Sequence, residues 1–128
     1  MVSDAVAETL ARCWLEGWNG EDVDTIMLPF AAEVVFSSPF VSRVTGDPAR
    51  TEIDGREALA AYVSDALARS PGIRYTLDAT YTGSDAVVLV YSCRRPDGRT
   101  KRGADFMRVD PDGQVVEWRC HYGQYPSS

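Results

Sequence analysis

The 128-residue chain predicts an α+β fold, with helices gathered on one face of an antiparallel sheet. Two observations carry that reading. The apolar period changes from about 3.6 residues to about 2 after Pro71-Gly72, and the second half is punctuated by turns at Gly83-Ser84-Asp85, Pro96-Asp97-Gly98 and Pro111-Asp112-Gly113. A third observation is length: 128 residues make a single domain, spanning 1–128, that is long enough to enclose a core.

From Ser3 to Trp18, Val6, Leu10, Cys13, Trp14 and Gly17 follow helical spacing, and Asn19-Gly20 is expected to end this helix through a left-handed glycine. A second short helix, Val23 to about Ala31, carries Val23, Ile26, Met27 and Phe30 on one side. A strand from Glu33 to Ser37 is broken by Pro39, and the polar stretch Phe40 to Ile53 reads as a surface loop. Asp54 and Glu57, three apart, resemble a capping box. It opens a third helix striped by Leu59, Tyr62, Val63, Ala66 and Leu67.

Ile73, Tyr75, Leu77, Ala79 and Tyr81 then alternate with polar residues as in a half-buried strand. The run AVVLVYSC, 86–93, suggests burial on both faces or a dimer contact. In the last strand Val116, Trp118, Cys120 and Tyr122 alternate with Glu117, Arg119 and His121, which points His121 to the outer sheet face or a dimer contact.

A net charge of −6 argues against nucleic acid. The densest basic cluster, Arg94, Arg95, Arg99, Lys101 and Arg102, brackets a turn and reads as solvated charge at a hairpin tip. No apolar run approaches the roughly 20 residues of a membrane span, and MVSDAVAETLARCW lacks the basic start of a secretory signal, so a cytoplasmic chain is expected. Three cysteines (Cys13, Cys93, Cys120) without CxxC spacing and a single histidine predict neither a metal site nor a cofactor. Cys120 and His121 point to opposite faces, so free buried thiols are expected.

The residue that bears on function is Asp105. If the last hairpin closes on a two-residue loop at Pro111-Asp112, Asp105 lies opposite Trp118 on the apolar face, with Met107 and Val109. A carboxyl buried there is pushed toward its neutral form and becomes a candidate acid in a pocket. The other reading pairs it with Arg102 near the pocket mouth.

The segments ARCWLEGWNGEDVDTI, VVFSSPF, IDGREALAAYV and DFMRVDPDGQVVEWRCHY resemble the nuclear transport factor 2-like superfamily, within it the ketosteroid isomerase and SnoaL-like polyketide cyclase branches. The resemblance runs from about Ala5 to Tyr122. It implies a cystatin-like fold: a curved antiparallel sheet around a cone-shaped pocket closed by three helices, commonly dimeric. Asp105 matches the aspartic acid that donates to the oxyanion in ketosteroid isomerases. The position of their general base holds Ser38, and those of their oxyanion tyrosine and its supporting tyrosine hold Cys13 and Val63. That departure argues against ordinary steroid isomerisation. The cyclase branch relies on one acid near the same strand position, which Asp105 alone matches.

Trp14, Phe36, Ser38, Phe40, Tyr62, Tyr91, Met107, Trp118 and Tyr122 are the other expected pocket residues. They suit a small hydrophobic ligand, with a homodimer formed through the sheet face near Tyr91. Two functions follow: isomerase or cyclase chemistry at Asp105, or a non-catalytic ligand-binding or dimerisation domain.

Overall fold

Ser3 starts the first helix: its hydroxyl accepts from the Val6 N–H at 3.2 Å, satisfying one open donor of the first turn. In the computed structural model, which describes residues 1–123, this is α1, Asp4–Asn19. Residues 124–128 of the expected domain lie outside the described residues. Gly20 does not terminate α1 in the left-handed region; its φ is −85°, and Glu21 takes the positive φ of 50° instead. Gly17 is needed for a different reason. A Cβ there would fall 2.5 Å from Ile26 Cγ1, so its absence lets α2, Val23–Met27, cross close to α1.

α2 is shorter than the stretch to Ala31. Pro29 has no N–H with which to continue a helix, and Phe30 and Ala31 instead open β1, Phe30–Ser37. The expected surface loop contains α3, Val41–Thr45, and an edge strand β2, Glu52–Asp54, paired antiparallel to β1. The capping box does not form, because Asp54 belongs to β2 and the N-cap of α4, Arg56–Arg69, is Gly55 at φ 91°. Arg56 fixes α4 instead, donating at 3.2 Å to the carbonyls of both Phe30 and Met27.

Four long strands follow: β3 Arg74–Thr82, β4 Ala86–Arg94, β5 Thr100–Val109 and β6 Val115–Tyr122. The six strands form one curved, unclosed sheet in the order β2-β1-β6-β5-β4-β3, with every pair antiparallel except β1 and β6. α1, α2 and α4 bury their apolar stripes on its concave face, through Leu10, Trp14, Ile26, Leu59 and Val63.

Two hairpins depart from simple alternation. In the β5–β6 hairpin the turn takes five residues, 110–114, and a bulge at Val116 follows between the pairs Arg108↔Glu117 and Val109↔Val115. Each device slips the register by one residue, so Asp105 faces Cys120 rather than Trp118. The two slips together preserve the face, and Asp105 still points inward. Val115 replaces Val116 inside and is fully buried.

In the β3–β4 hairpin a single bulge at Asp78 has the opposite effect. Tyr75 and Leu77 face inward, but Ala79 and Tyr81 are turned to the convex face, where Tyr81 is 64% exposed. Tyr91, expected near the outer contact, points inward and is buried.

The start of α1 seals one end of the sheet: the Val2 N–H bonds the Gly83 carbonyl, and Val6 packs over Gly113. The other end, between α3, the end of α4 and the β4–β5 turn, is open.

Candidate functional site

A cavity of about 390 Å³ enters the molecule at the open end and reaches Asp105. Asp105 stands on β5 at an inward position, 2% exposed, and with Ser38 is one of two buried polar side chains among the described residues. Two indoles hold it. Trp14 Nε1, brought over from α1, and Trp118 Nε1, from the adjacent strand, each donate to Oδ2 at 3.0 Å. Oδ1 has no partner.

This geometry makes the two oxygens unequal. Oδ2 accepts two hydrogen bonds and keeps its negative character, so any proton resides on Oδ1. Burial pushes the Asp105 carboxyl up to about 6; the nearby donors Trp118, Cys120, Trp14 and Tyr91 hold it down against that pressure, though of the four only the two indoles complete a hydrogen bond to it. The Arg102 pairing does not occur, because Arg102 lies exposed on the opposite face of β5.

Among the expected ligand contacts, Trp14, Phe36, Ser38, Phe40, Tyr62, Tyr91, Trp118 and Tyr122 line the cavity. Met107 does not. It sits two residues beyond Asp105 toward the sealed end, 1% exposed, and belongs to the closed core. Cys13 and Val63 are also buried away from the cavity, and only Ser38 of the three departed positions lines it. The Ser38 hydroxyl accepts from the Phe40 N–H at 3.2 Å, bracing the chain after Pro39.

The phenols form the polar part of the wall. Burial raises Tyr62 to about 12 and pushes Tyr91 and Tyr122 higher, so all three are donors at any ordinary pH. Tyr91 and Tyr122 are coupled through their side chains, and the Asp105 charge adds to the upward pressure on both. Tyr91 crosses β5 over Gly103, where a Cβ would lie 2.4 Å from its Cζ and hydroxyl. Glycine at 103 is therefore what lets this ring approach the strand so closely.

Several lining residues escape a reading of the sequence. Trp18, one turn beyond Trp14, was visible on the same stripe of α1 and places an unpartnered, buried Nε1 in the wall. Tyr75 packs edge-on to Trp14, with centroids 5.5 Å apart. Cys120 lies beside Asp105, and its thiol is driven well above its usual range by burial and then by the Asp105 charge. Arg43, Arg69, Arg95 and Lys101 ring the mouth. Lys101 Nζ sits 4.5 Å from the Phe40 ring centre and 5.2 Å from that of Tyr122. His121 is exposed on the convex face, apart from the cavity.

Chemically, the chamber offers one carboxyl on a deep apolar floor, phenolic donors beside it and aromatic walls. No other acid lines it among the described residues. No helix of the described residues is long and apolar enough to cross a membrane.

The model of the SnoaL-like domain family matches residues 11–118. Among solved structures, a SnoaL-like protein of unknown function from Burkholderia thailandensis superposes with a TM-score of 0.81 at 28% identity, over 97% of this chain and 100% of that one. A nuclear transport factor 2-like protein of unknown function from Mesorhizobium loti gives 0.70 at 25% identity, over 96% and 98%. A protein with a ketosteroid isomerase-like fold from Catenulispora acidiphila, in complex with trimethylamine, gives 0.70 at 17% identity, over 89% and 85%. That last likeness shows the fold alone. No curated protein matches the chain.

Proposed function

The chain belongs to the SnoaL-like domain family, and from that membership and the single buried acid of its cavity we propose that it binds a small hydrophobic carbonyl compound and moves a proton on it. The observation that carries this reading is Asp105 Oδ1, an unpartnered carboxyl oxygen at the floor of an apolar chamber.

With its pKa raised to about 6, Asp105 is mostly ionised near neutrality and is a stronger base than a solvated carboxylate. Oδ1 takes a proton from a carbon next to the ligand's carbonyl, leaving an enolate and a neutral Asp105. In this reading Tyr91 and Tyr122, kept protonated and lining the cavity, donate to the enolate oxygen, and Ser38 and Tyr122 orient the ligand. Asp105 then returns the proton, to a different carbon in an isomerisation. In a ring closure it goes to the oxygen of an internal carbonyl that the enolate carbon has attacked. Either outcome needs only one acid, in keeping with Ser38 where a second would stand. Tests can use β-tetralone, an enolisable bicyclic ketone, with deuterium uptake from solvent followed by NMR. The protein should accelerate uptake, and Asp105→Asn should abolish the acceleration while β-tetralone still binds. Acceleration that survives in Asp105→Asn removes this residue from the chemistry.

A second reading, a ligand-binding domain without turnover, is favoured by the same absence of a second acid in the lining. It predicts binding of the ketone without deuterium uptake. In either case we read the convex sheet face as the contact with a second copy. Ala79, Tyr81, Val88, Val90 and Phe106 give that face an apolar patch where polar residues would be expected. Sedimentation that finds only monomer at micromolar protein would rule it out. The unpaired thiols of Cys13, Cys93 and Cys120 suit a reducing, cytoplasmic setting.

A further inference from the structure

The mouth of the cavity carries a chemistry that its floor does not. Four cations line it, Arg43, Arg69, Arg95 and Lys101, out of 13 basic residues in a chain whose net charge is −6. None of the four has a carboxylate within 4.0 Å among the described residues; what sets them apart is that they face one opening, since Arg99 in the same turn is neutralised by Asp97, and Arg108 and Arg119 are paired with acids elsewhere. The cations also converge from separate parts of the chain: Arg43 from α3, Arg69 from the end of α4, Arg95 and Lys101 from the two sides of the β4–β5 turn. Strand alternation explains how one basic cluster divides. Lys101 shares the inward face with Gly103 and Asp105, while its neighbour Arg102 points to the convex side.

Lys101 is half-buried, with its ammonium above the Phe40 and Tyr122 rings, so its position is defined rather than swept through solvent. Arg43 shares the Phe40 ring from 5.4 Å. Unpaired cations at the rim of an otherwise apolar hole concentrate a positive potential where a ligand enters. The one carboxyl in the lining is Asp105, far down at the floor and screened by two indoles.

From this arrangement we propose that the ligand is an acid: an apolar body that fills the chamber and one anionic oxygen group, carboxylate or phosphate ester, held at the mouth by Lys101 and Arg43 with Arg69 and Arg95 around it. The inference rests on the chamber being a ligand site and adds the class of compound it takes. It also gives a polarity to binding, since the charged end stays at the rim while the reacting carbon reaches Asp105. The length of the chamber then selects how far the two lie apart in the ligand.

All three tryptophans of the chain, Trp14, Trp18 and Trp118, line the cavity, so intrinsic fluorescence reports its occupation. Titration with 3-cyclohexylpropanoate, its uncharged amide and cyclohexylmethyl phosphate separates the contributions. At least one anion should bind about tenfold or more tightly than the amide, the scale of one charge-assisted hydrogen bond. Which anion wins distinguishes a carboxylic acid from a phosphate ester. Lys101→Met should reduce that preference severalfold. Arg102→Gln, which removes the same charge from the opposite face of the same strand, should leave it unchanged. Equal binding of anions and amide overturns the inference while leaving a hydrophobic ligand site intact, and so does an equal loss in Lys101→Met and Arg102→Gln. No binding by any of the three overturns both this inference and the ligand-site reading beneath it.

Discussion

The floor and the mouth of the cavity are built on opposite principles. The floor is set by neighbouring strands and one helix: Asp105, Trp118 and Trp14 are all buried, and two indoles fix one carboxyl oxygen. The mouth is set by a short helix, a helix end and a hairpin tip, and its charges are largely exposed. At the floor, order comes from packing, so a polar group there is held in place at a cost to stability. At the mouth, charges keep their hydration and cost little to maintain. One end is made for chemistry that water would spoil, the other for capture.

The largest expected effect breaks the floor's bargain. Asp105 has its pKa raised from 3.8 to about 6 in the folded protein. Below about pH 4 both folded and unfolded chains carry the proton, and burial of the neutral acid is cheap. Between about pH 4 and pH 6 the folded state holds a proton the unfolded state has lost, so stability falls as pH rises. Above that window the folded protein carries the whole penalty, on the order of 3 kcal/mol. Asp105→Asn removes the charge and keeps an acceptor for the indoles. Urea unfolding should therefore find the variant more stable than the parent at pH 7 by up to about 3 kcal/mol, with the gain gone at pH 4. A variant no more stable at pH 7 would mean that the carboxylate is solvated in place.

A smaller effect sharpens the asymmetry between the two carboxyl oxygens. Each indole donates to the ionised form of Asp105, so each favours that form. Trp14→Phe or Trp118→Phe should raise the carboxyl further, by about one unit for a lost hydrogen bond of ordinary strength. NMR titration of the Asp105 side-chain carbon reads this directly. A fall, or no movement, would show that the indoles do not hold Oδ2.

The floor was largely legible in the sequence and the mouth was not. Alternation along 115–122 and the period of α1 put Trp118 and Trp14 inside, and they put Asp105 with them. The register was off by two residues, since neither the five-residue turn nor the bulge at Val116 has a clear signature, but two slips restore the face. At Asp78 a single slip had no such repair, and an unbroken apolar alternation hid the turning of Ala79 and Tyr81 to the convex side. Met107 fell on the right face and the wrong level, because periodicity gives a side of the sheet and says nothing of depth along it. Of the mouth cations, Arg95 and Lys101 are close in sequence but read only as solvated charge at a hairpin tip, while Arg43 and Arg69 come from a stretch that reads as loop and from the end of a helix. Only tertiary packing brings Arg43 and Lys101 to the same Phe40 ring.

The smallest effect should come from a mouth cation, and its smallness is what the contrast requires. Lys101 is half-buried and makes no salt bridge among the described residues; its contacts are the Phe40 and Tyr122 rings. Lys101→Met removes the ammonium but keeps an unbranched side chain that can rest on both rings, with sulfur–aromatic contact replacing much of the cation–π attraction. The thermal midpoint should then report a stability change within about 0.5 kcal/mol, the usual range for a surface substitution that breaks no buried contact. If the loss instead exceeded about 1 kcal/mol, Lys101 would be pinning Phe40 and the start of α3 to the sheet. The mouth would then be a packed element of the fold, and the contrast with the floor would narrow to a difference of degree.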